Sequence, residues 1–215
     1  MMVKELNLVL LGGPGAGKGT QASRLVSEKD LEHLATGDIL RDEVSRNTRL
    51  GKRAKEYMDK GELVPDELVI DMVRKRVENK SSSGYLFDGF PRTVEQAEAL
   101  EGILELDAVI YIDVSREEVV RRLSARRVCS DCGTNFNLKF DPPSEEGVCD
   151  KCGGGLVQRD DDQPQVIEDR YDTFLKKTAP LIDYYRERGL LKEVDGEGTP
   201  GQVYQRVVDK LGENG

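Results

Sequence analysis

The sequence predicts an α/β fold, a parallel sheet flanked by helices. Three observations carry that reading. Short apolar runs of strand length alternate with longer helical segments, as in a parallel sheet with crossover helices. The first run, residues 6–11, is apolar almost throughout, as a strand covered on both faces must be. It leads straight into glycines and then into a helix.

Taken in order, residues 6–11 form the first strand, ending at Gly12, and residues 19–28 the helix after it. His33 stands just before a short strand or loop at 34–36 and reads as structural or surface-exposed. Residues 36–64 hold two short helical stretches without a strand signal, which predicts a small helical insertion. Residues 65–79 predict a helix and 81–84, Ser-Ser-Ser-Gly, a loop. A strand follows at 85–87, ending at Asp88-Gly89, and a helix at 93–102. Residues 108–114 read as a strand and 115–127 as a helix with Ser115 at its N-cap. Residues 129–158, rich in Gly, Pro and Cys, predict an irregular, metal-stapled insertion with little strand. A long helical stretch covers 162–188, a strand 190–194, and a last helix 199–211, stopped by Gly212. In such a sheet the chemistry sits at the carboxyl ends of the strands.

The chain has 215 residues, enough for one compact core with modest insertions. Hydrophobic residues make up 37% and charged residues 34%, but the apolar ones come in clean runs, so the chain reads as folded. A net charge of −9 argues against a nucleic-acid coat or a membrane-surface binder. It leaves room for phosphate sites, which need only a local cluster of cations. No run approaches the ~20 apolar residues of a membrane span, and the run at 6–11 is too short for the apolar region of a signal peptide and leads straight into glycines, so the cytoplasm is the expected compartment.

The segment Gly12-Gly13-Pro14-Gly15-Ala16-Gly17-Lys18-Gly19-Thr20 joins a predicted strand to a predicted helix. Glycines let backbone N–H groups turn inward around phosphate oxygens, and the helix N-terminus adds partial positive charge. Lys18 can reach β- and γ-phosphates as a mobile point charge. The Ser/Thr that usually follows such a lysine is Gly19 here, and the hydroxyl comes one residue later, at Thr20. Thr20 therefore either ligates Mg²⁺ or bonds a phosphate.

This loop resembles that of the adenylate kinases, and other stretches resemble that family in order along nearly the whole chain. They are Thr36-Gly37-Asp38, Leu40-Arg41, Gly61-Glu62-Leu63-Val64-Pro65-Asp66 and Asp88-Gly89-Phe90-Pro91-Arg92 with Gln96. Arg126-Arg127, Arg159-Asp160-Asp161 and Arg170 complete the set. The resemblance implies a P-loop fold in three parts. A core would hold residues 1–34, 65–124 and 163–215, a nucleoside-monophosphate (AMP) domain 35–64, and a lid 125–162.

Transfer between two nucleotides brings several negative charges together, so catalysis is mainly positioning plus cations. Arginine suits this, because its planar fork pairs with phosphate in a bidentate way and stays charged. The resemblance implies that Arg41 and Arg92 hold the AMP phosphate, while Arg126, Arg159 and Arg170 converge on the transferring phosphates. Thr36, Glu62, Leu63, Val64, Gly89, Phe90, Pro91 and Gln96 would line the AMP side, with Arg159 and Arg170 reaching it. On the ATP side would lie Gly15, Ala16, Gly17, Lys18, Gly19, Thr20, Arg126, Asn135, Phe136 and Gly198. Asp88 would order the water around Mg²⁺, with Asp38 a weaker candidate. Arg116, Arg121, Arg186 and Arg188 read as solvated surface charges. No general base is needed, because the acceptor is already an anion.

Cys129-x2-Cys132 and Cys149-x2-Cys152 have the spacing of a four-thiolate zinc site, closed and structural. Gly133 and Gly153 follow each pair, as tight turns need. An iron–sulfur cluster and two disulfides are the alternatives. Between residues 129 and 159, five carboxylates face three cations, the wrong sign for a nucleic-acid surface. The resemblance is to the branch with a zinc-bearing lid. It implies ATP + AMP ⇌ 2 ADP with Mg²⁺ and structural Zn²⁺, carried out by a monomer without nucleic-acid or membrane partners. The rivals are a GTP:AMP or UMP/CMP kinase, a P-loop switch protein and a zinc-ribbon nucleic-acid module.

Overall fold

A computed structural model describes residues 6–78 and 84–212. The expected loop at 81–84 therefore lies, except for Gly84, outside the described residues, as does the last residue of the helix expected at 65–79. Among the described residues the strands are β1 (Leu8–Leu11), β2 (Glu32–Ala35), β3 (Tyr85–Asp88), β4 (Ala108–Asp113), β5 (Arg126–Cys129), β6 (Asn135–Asn137), β7 (Leu156–Val157) and β8 (Leu191–Asp195). Five form one parallel sheet in the order β2-β3-β1-β4-β8. The chain leaves β1 toward one edge and β3 toward the other, which opens a crevice at their carboxyl ends.

The helices are α1 (Lys18–Lys29), α2 (Thr36–Ser45), α3 (Arg49–Met58), α4 (Asp66–Glu78), α5 (Val94–Glu101), α6 (Arg116–Ser124), α7 (Pro164–Thr173), α8 (Pro180–Glu187) and α9 (Pro200–Gly212). Side chains alternate across each strand, so β1 sends Leu8 and Leu10 to one face and Val9 and Leu11 to the other. The first face packs on Ala22 and Leu25 of α1, Val119 and Leu123 of α6, and Val203 and Val207 of α9. The second packs on Val69 and Val73 of α4, Leu100 of α5, and Leu181 and Tyr185 of α8. Each such leucine buried is worth about 1.5–3 kcal/mol, and this two-sided cover explains the unbroken apolar run of β1. None of the described helices is long and apolar enough to cross a membrane.

Three expectations need correcting. His33 lies within an edge strand, β2, not before it, and only Leu34 of that strand is buried. The helix expected at 115–127 stops at Ser124, because Arg126 and Arg127 pair with Asn137 and Phe136 in an antiparallel sheet. Ser115 is the N-cap residue as expected, though its hydroxyl donates to Glu197 and makes no capping bond. The stretch at 162–188 is broken into a 3₁₀ turn (Asp160–Asp162), α7, a π turn (Phe174–Thr178) and α8. Pro180 explains the second break. It has no N–H and crowds the carbonyl four residues back, and Ala179 N instead donates to Phe174 O at 2.8 Å, five residues back.

The helical insertion is a hairpin of α2 and α3. The Thr48 hydroxyl caps α3 by accepting from Gly51 N at 3.0 Å. Gly51 lets the backbones touch, since a Cβ there would lie 2.0 Å from Glu43 O. The cysteine segment is less irregular than expected, with the order β6-β5-β7.

Candidate active site

The glycine loop turns from β1 into α1 through Gly12, Gly15 and Gly17, with φ of 152°, 72° and 94°. A Cβ at Gly15 would sit 2.8 Å from Leu123 Cγ, and one at Gly12 2.7 Å from Ile112 O. The loop is thus wedged between α6 and β4. No side chain caps the start of α1, so its N–H groups stay open to an anion. Lys18 folds back and donates to Gly12 O at 2.7 Å and Gly13 O at 2.8 Å. Burial pushes its ammonium down to about 8; Asp88 opposes this, and Arg92, Arg170 and Arg126 add to it. Thr20 is exposed at the start of α1, next to Gly19, whose Cβ would lie 3.6 Å from Asp88 Oδ2.

Asp88 ends β3. Burial pushes its carboxyl up, but His33, Lys18 and Arg92 outweigh burial and hold it below the ordinary value. His33 Nε2 is 3.9 Å from Asp88 Oδ2, too far for a hydrogen bond, so its pull is Coulombic. Arg92 follows in the next turn. Its Nε donates to Gly89 O at 2.8 Å and its backbone N to Gln96 Oε1 at 2.8 Å. Thr178 Oγ1, delivered by the π turn, donates to Arg92 O at 2.9 Å. Burial, with Arg170 adding to it, pushes the Arg92 guanidinium down to about 10.

Among the described residues, two cavities meet here. One, of about 620 Å³, is lined by Thr36, Arg41, Glu62, Leu63, Val64 and Gln96, with Asp161 at its far wall. The other, of about 550 Å³, is lined by Gly12, Pro14, Lys18, Pro91 and Phe174. Gly61, Leu63, Gly89, Arg92 and Arg170 line both. Pro91, expected on the AMP side, therefore faces the lysine side, and Phe90 is fully buried in the core. Thr36 Oγ1 donates to Gly89 O at 2.8 Å. Arg41 pairs with Asp38 one turn earlier on α2.

Two of the remaining arginines, Arg126 and Arg170, meet at one carboxylate. Asp162 is fully buried and accepts from Arg126 Nε at 2.7 Å and from its second terminal nitrogen at 2.5 Å. Arg170 reaches the same carboxylate at 3.4 Å and pairs with Asp161 at 2.9 Å. Arg159 donates to Asn135 Oδ1 at 2.9 Å, and burial together with Arg126 and Arg41 pushes it down to about 10. Arg126 and Arg159 are outside both cavity linings, yet Arg126 acts on Lys18 and Arg159 feels Arg41.

The four cysteine Sγ atoms lie within 4.8 Å of one another. They are unbridged, with Cys129 at 3.4 Å from Cys152 and Cys132 at 3.6 Å from Cys149, far beyond a disulfide bond. Each pair closes a turn in which Gly133 N donates to Cys129 O, or Gly153 N to Cys149 O. The Phe136 ring packs with Cys129 and Cys149, so this side chain serves the module's core.

Three residues have roles that sequence reasoning missed. Asp162 directly follows the stretch Arg159-Asp160-Asp161 but carries no signal of its own. Arg122 bridges Ala16 O at 3.2 Å and Gly196 O at 2.9 Å, tying the glycine loop to the turn after β8. Gly198 belongs to that turn but lines neither cavity, and its φ of 103° serves the turn. Asp66 binds both Thr93 and Gln96. Of the arginines expected as free surface charges, Arg116, Arg121, Arg186 and Arg188 are exposed, but each is paired with a carboxylate.

A family profile described as adenylate kinase matches residues 10–190. A Staphylococcus aureus protein named adenylate kinase is 47% identical over 212 residues, covering 96% of this chain and 99% of that protein. The adenylate kinase of Carboxydothermus hydrogenoformans is 50% identical over 212 residues, with the same coverage. That of Archaeoglobus fulgidus is 51% identical over 208 residues, covering 94% of this chain and 96% of the relative.

Proposed function

The chain belongs to the adenylate kinase family, and from that premise we propose that it moves the γ-phosphoryl group of ATP onto AMP, giving two ADP. The observation that carries this reading is the pair of cavities sharing Arg92 and Arg170 as a common wall. Lys18 and the glycine loop border one, so ATP phosphates belong there. Arg41, Thr36 and Gln96 border the other, which suits AMP, with its base beside Gln96 and its phosphate on Arg41 and Arg92. Phosphate would then meet phosphate at Arg92 and Arg170.

On arrival of ATP, Lys18 exchanges two backbone carbonyls for phosphate oxygens and keeps its proton. Arg92, Arg126, Arg159 and Arg170 offset the charge spreading over the moving group. Residues 35–64 and 125–162 act as the AMP domain and the lid over a core of 1–34, 65–124 and 163–215. Their closure excludes water that would otherwise hydrolyse ATP. Asp88, held ionised, is the residue suited to order water around Mg²⁺, which when bound with ATP screens the phosphate charges. The four thiolates are soft donors at tetrahedral spacing and fit Zn²⁺, whose binding would supply folding energy to a module too small to build its own core. We read the protein as a cytoplasmic monomer acting on free nucleotides, with no nucleic acid or membrane in its work.

A coupled assay of ADP formed from ATP and AMP tests this. Turnover should need both nucleotides and stop when a chelator removes Mg²⁺. Equal rates with GTP or UTP as donor, or with UMP or CMP as acceptor, would move the chain to another nucleotide specificity.

A further inference from the structure

We propose that Asp66 sets the choice of acceptor base, by fixing which way the Gln96 amide faces. The inference rests on AMP's base lying beside Gln96, as proposed above.

Gln96 lines the cavity it shares with Thr36 and Arg41 and is only 2% exposed, so its amide has few partners to choose from. Two of them are one-way groups. The backbone N–H of Arg92 can only donate, and it lies 2.8 Å from Gln96 Oε1. The Asp66 carboxylate can only accept, and its Oδ1 lies 2.7 Å from Gln96 Nε2. A flipped amide would set donor against donor at Arg92 and acceptor against acceptor at Asp66. Asp66 is itself held, since Oδ2 accepts from Thr93 Oγ1 at 2.8 Å, and the same hydroxyl caps α5 by accepting from Gln96 N at 3.2 Å. The sense of the amide is therefore settled by its neighbours before any ligand arrives.

A locked amide offers the cavity one free N–H and one free lone pair in fixed positions. That edge matches adenine, whose N1 accepts and whose N6 amino group donates. Hypoxanthine reverses both, with N1–H donating and O6 accepting. It would need the amide flipped, against Arg92 and Asp66 together. A site whose buried polar groups would be left unpaired rejects the wrong base far more strongly than a loose pocket does. With Asp66 gone, only the Arg92 N–H opposes the flip. Asp66 is thus a positioning residue that touches no substrate.

The test compares AMP with inosine monophosphate as acceptor, in the full-length protein, by kcat/KM with ATP as donor. Because both acceptors are measured on one preparation, their ratio is independent of the folded fraction. In Asp66→Ala the preference for AMP should fall about tenfold, roughly the effect of one hydrogen bond, with the loss on KM more than on kcat. In Asp66→Asn the preference should fall as well, because an amide can present either its oxygen or its amino group to Gln96 and no longer forbids the flip. An unchanged ratio in Asp66→Ala, or a wild-type ratio in Asp66→Asn, overturns the proposal. Gln96→Ala separates the two levels of the argument. A changed ratio there with none in Asp66→Ala removes Asp66 alone, whereas an unchanged ratio in Gln96→Ala overturns the placement of the base itself.

Discussion

Replacing Asp162 by Asn should destabilise the protein more than any surface change, and the structure gives the scale. Its carboxylate is fully buried, takes two bonds from Arg126 at 2.7 and 2.5 Å, and faces Arg170 at 3.4 Å. The side chains of Arg126 and Arg170 are only 19% and 21% exposed, so neither guanidinium is well solvated once its partner is neutral. Breaking a buried pair by removing one partner typically costs about 3–5 kcal/mol. Arg170 keeps Asp161, at 2.9 Å, which argues for the lower end. For a chain of this size, about 3 kcal/mol corresponds to a fall in Tm of roughly 6–12 °C. The assay is thermal melting followed by circular dichroism, with and without ATP. ATP should recover more of the Tm in the variant than in wild type, because its phosphates supply the missing anion. A fall under about 2 °C would refute the view that Asp162 neutralises the two arginines.

Four other outcomes follow from the site and the cysteine module. Gly15→Ala must place a Cβ 2.8 Å from Leu123 Cγ at a φ of 72°, so calorimetry should find ATP binding lost and stability lower by about 1–3 kcal/mol. Lys18 carries its charge below about pH 8 in the free protein, so ATP affinity should weaken as pH rises through 8, while Lys18→Arg should show no such limb. The same depressed value means that the unfolded chain binds the extra proton above pH 8, so the Lys18 contribution to stability rises with pH there, toward 10.5. Cys149→Ser should cut metal content, measured by atomic emission, well below the one ion per chain expected of wild type, and should expose 129–158 to proteolysis.

Much of the fold was legible because the core strands are apolar on both faces, a pattern that survives without tertiary context. Strand β2 showed only as a strand or loop at 34–36, since Glu32-His33-Leu34-Ala35 lies at the sheet edge and buries only Leu34. Arg126 and Arg127 read as helix because Ser-Ala-Arg-Arg favours helix locally, and only pairing with residues 136 and 137 overrides it. In the site, the glycine loop announces itself by its spacing, and the arginines through the family resemblance of the stretches that hold them. Asp162 and Asp66 do not, because a carboxylate's worth depends on which cation or amide the fold brings to it, here 36 and 30 residues away. Arg122 is hidden for the same reason, with partners 106 and 74 residues distant.

The contact of Gly51 with the carbonyl of Glu43 bears on how motion near the acceptor cavity would look to a spectroscopist. With no side chain between them at this point, the backbones of α2 and α3 meet directly, and there the hairpin has nothing that can rotate or repack. Spin labels placed on exposed Arg46 and Glu56 should therefore keep one sharp distance distribution whether or not nucleotide is bound. Any broadening seen between this hairpin and β1 would then report displacement of a stiff lever and not bending within it.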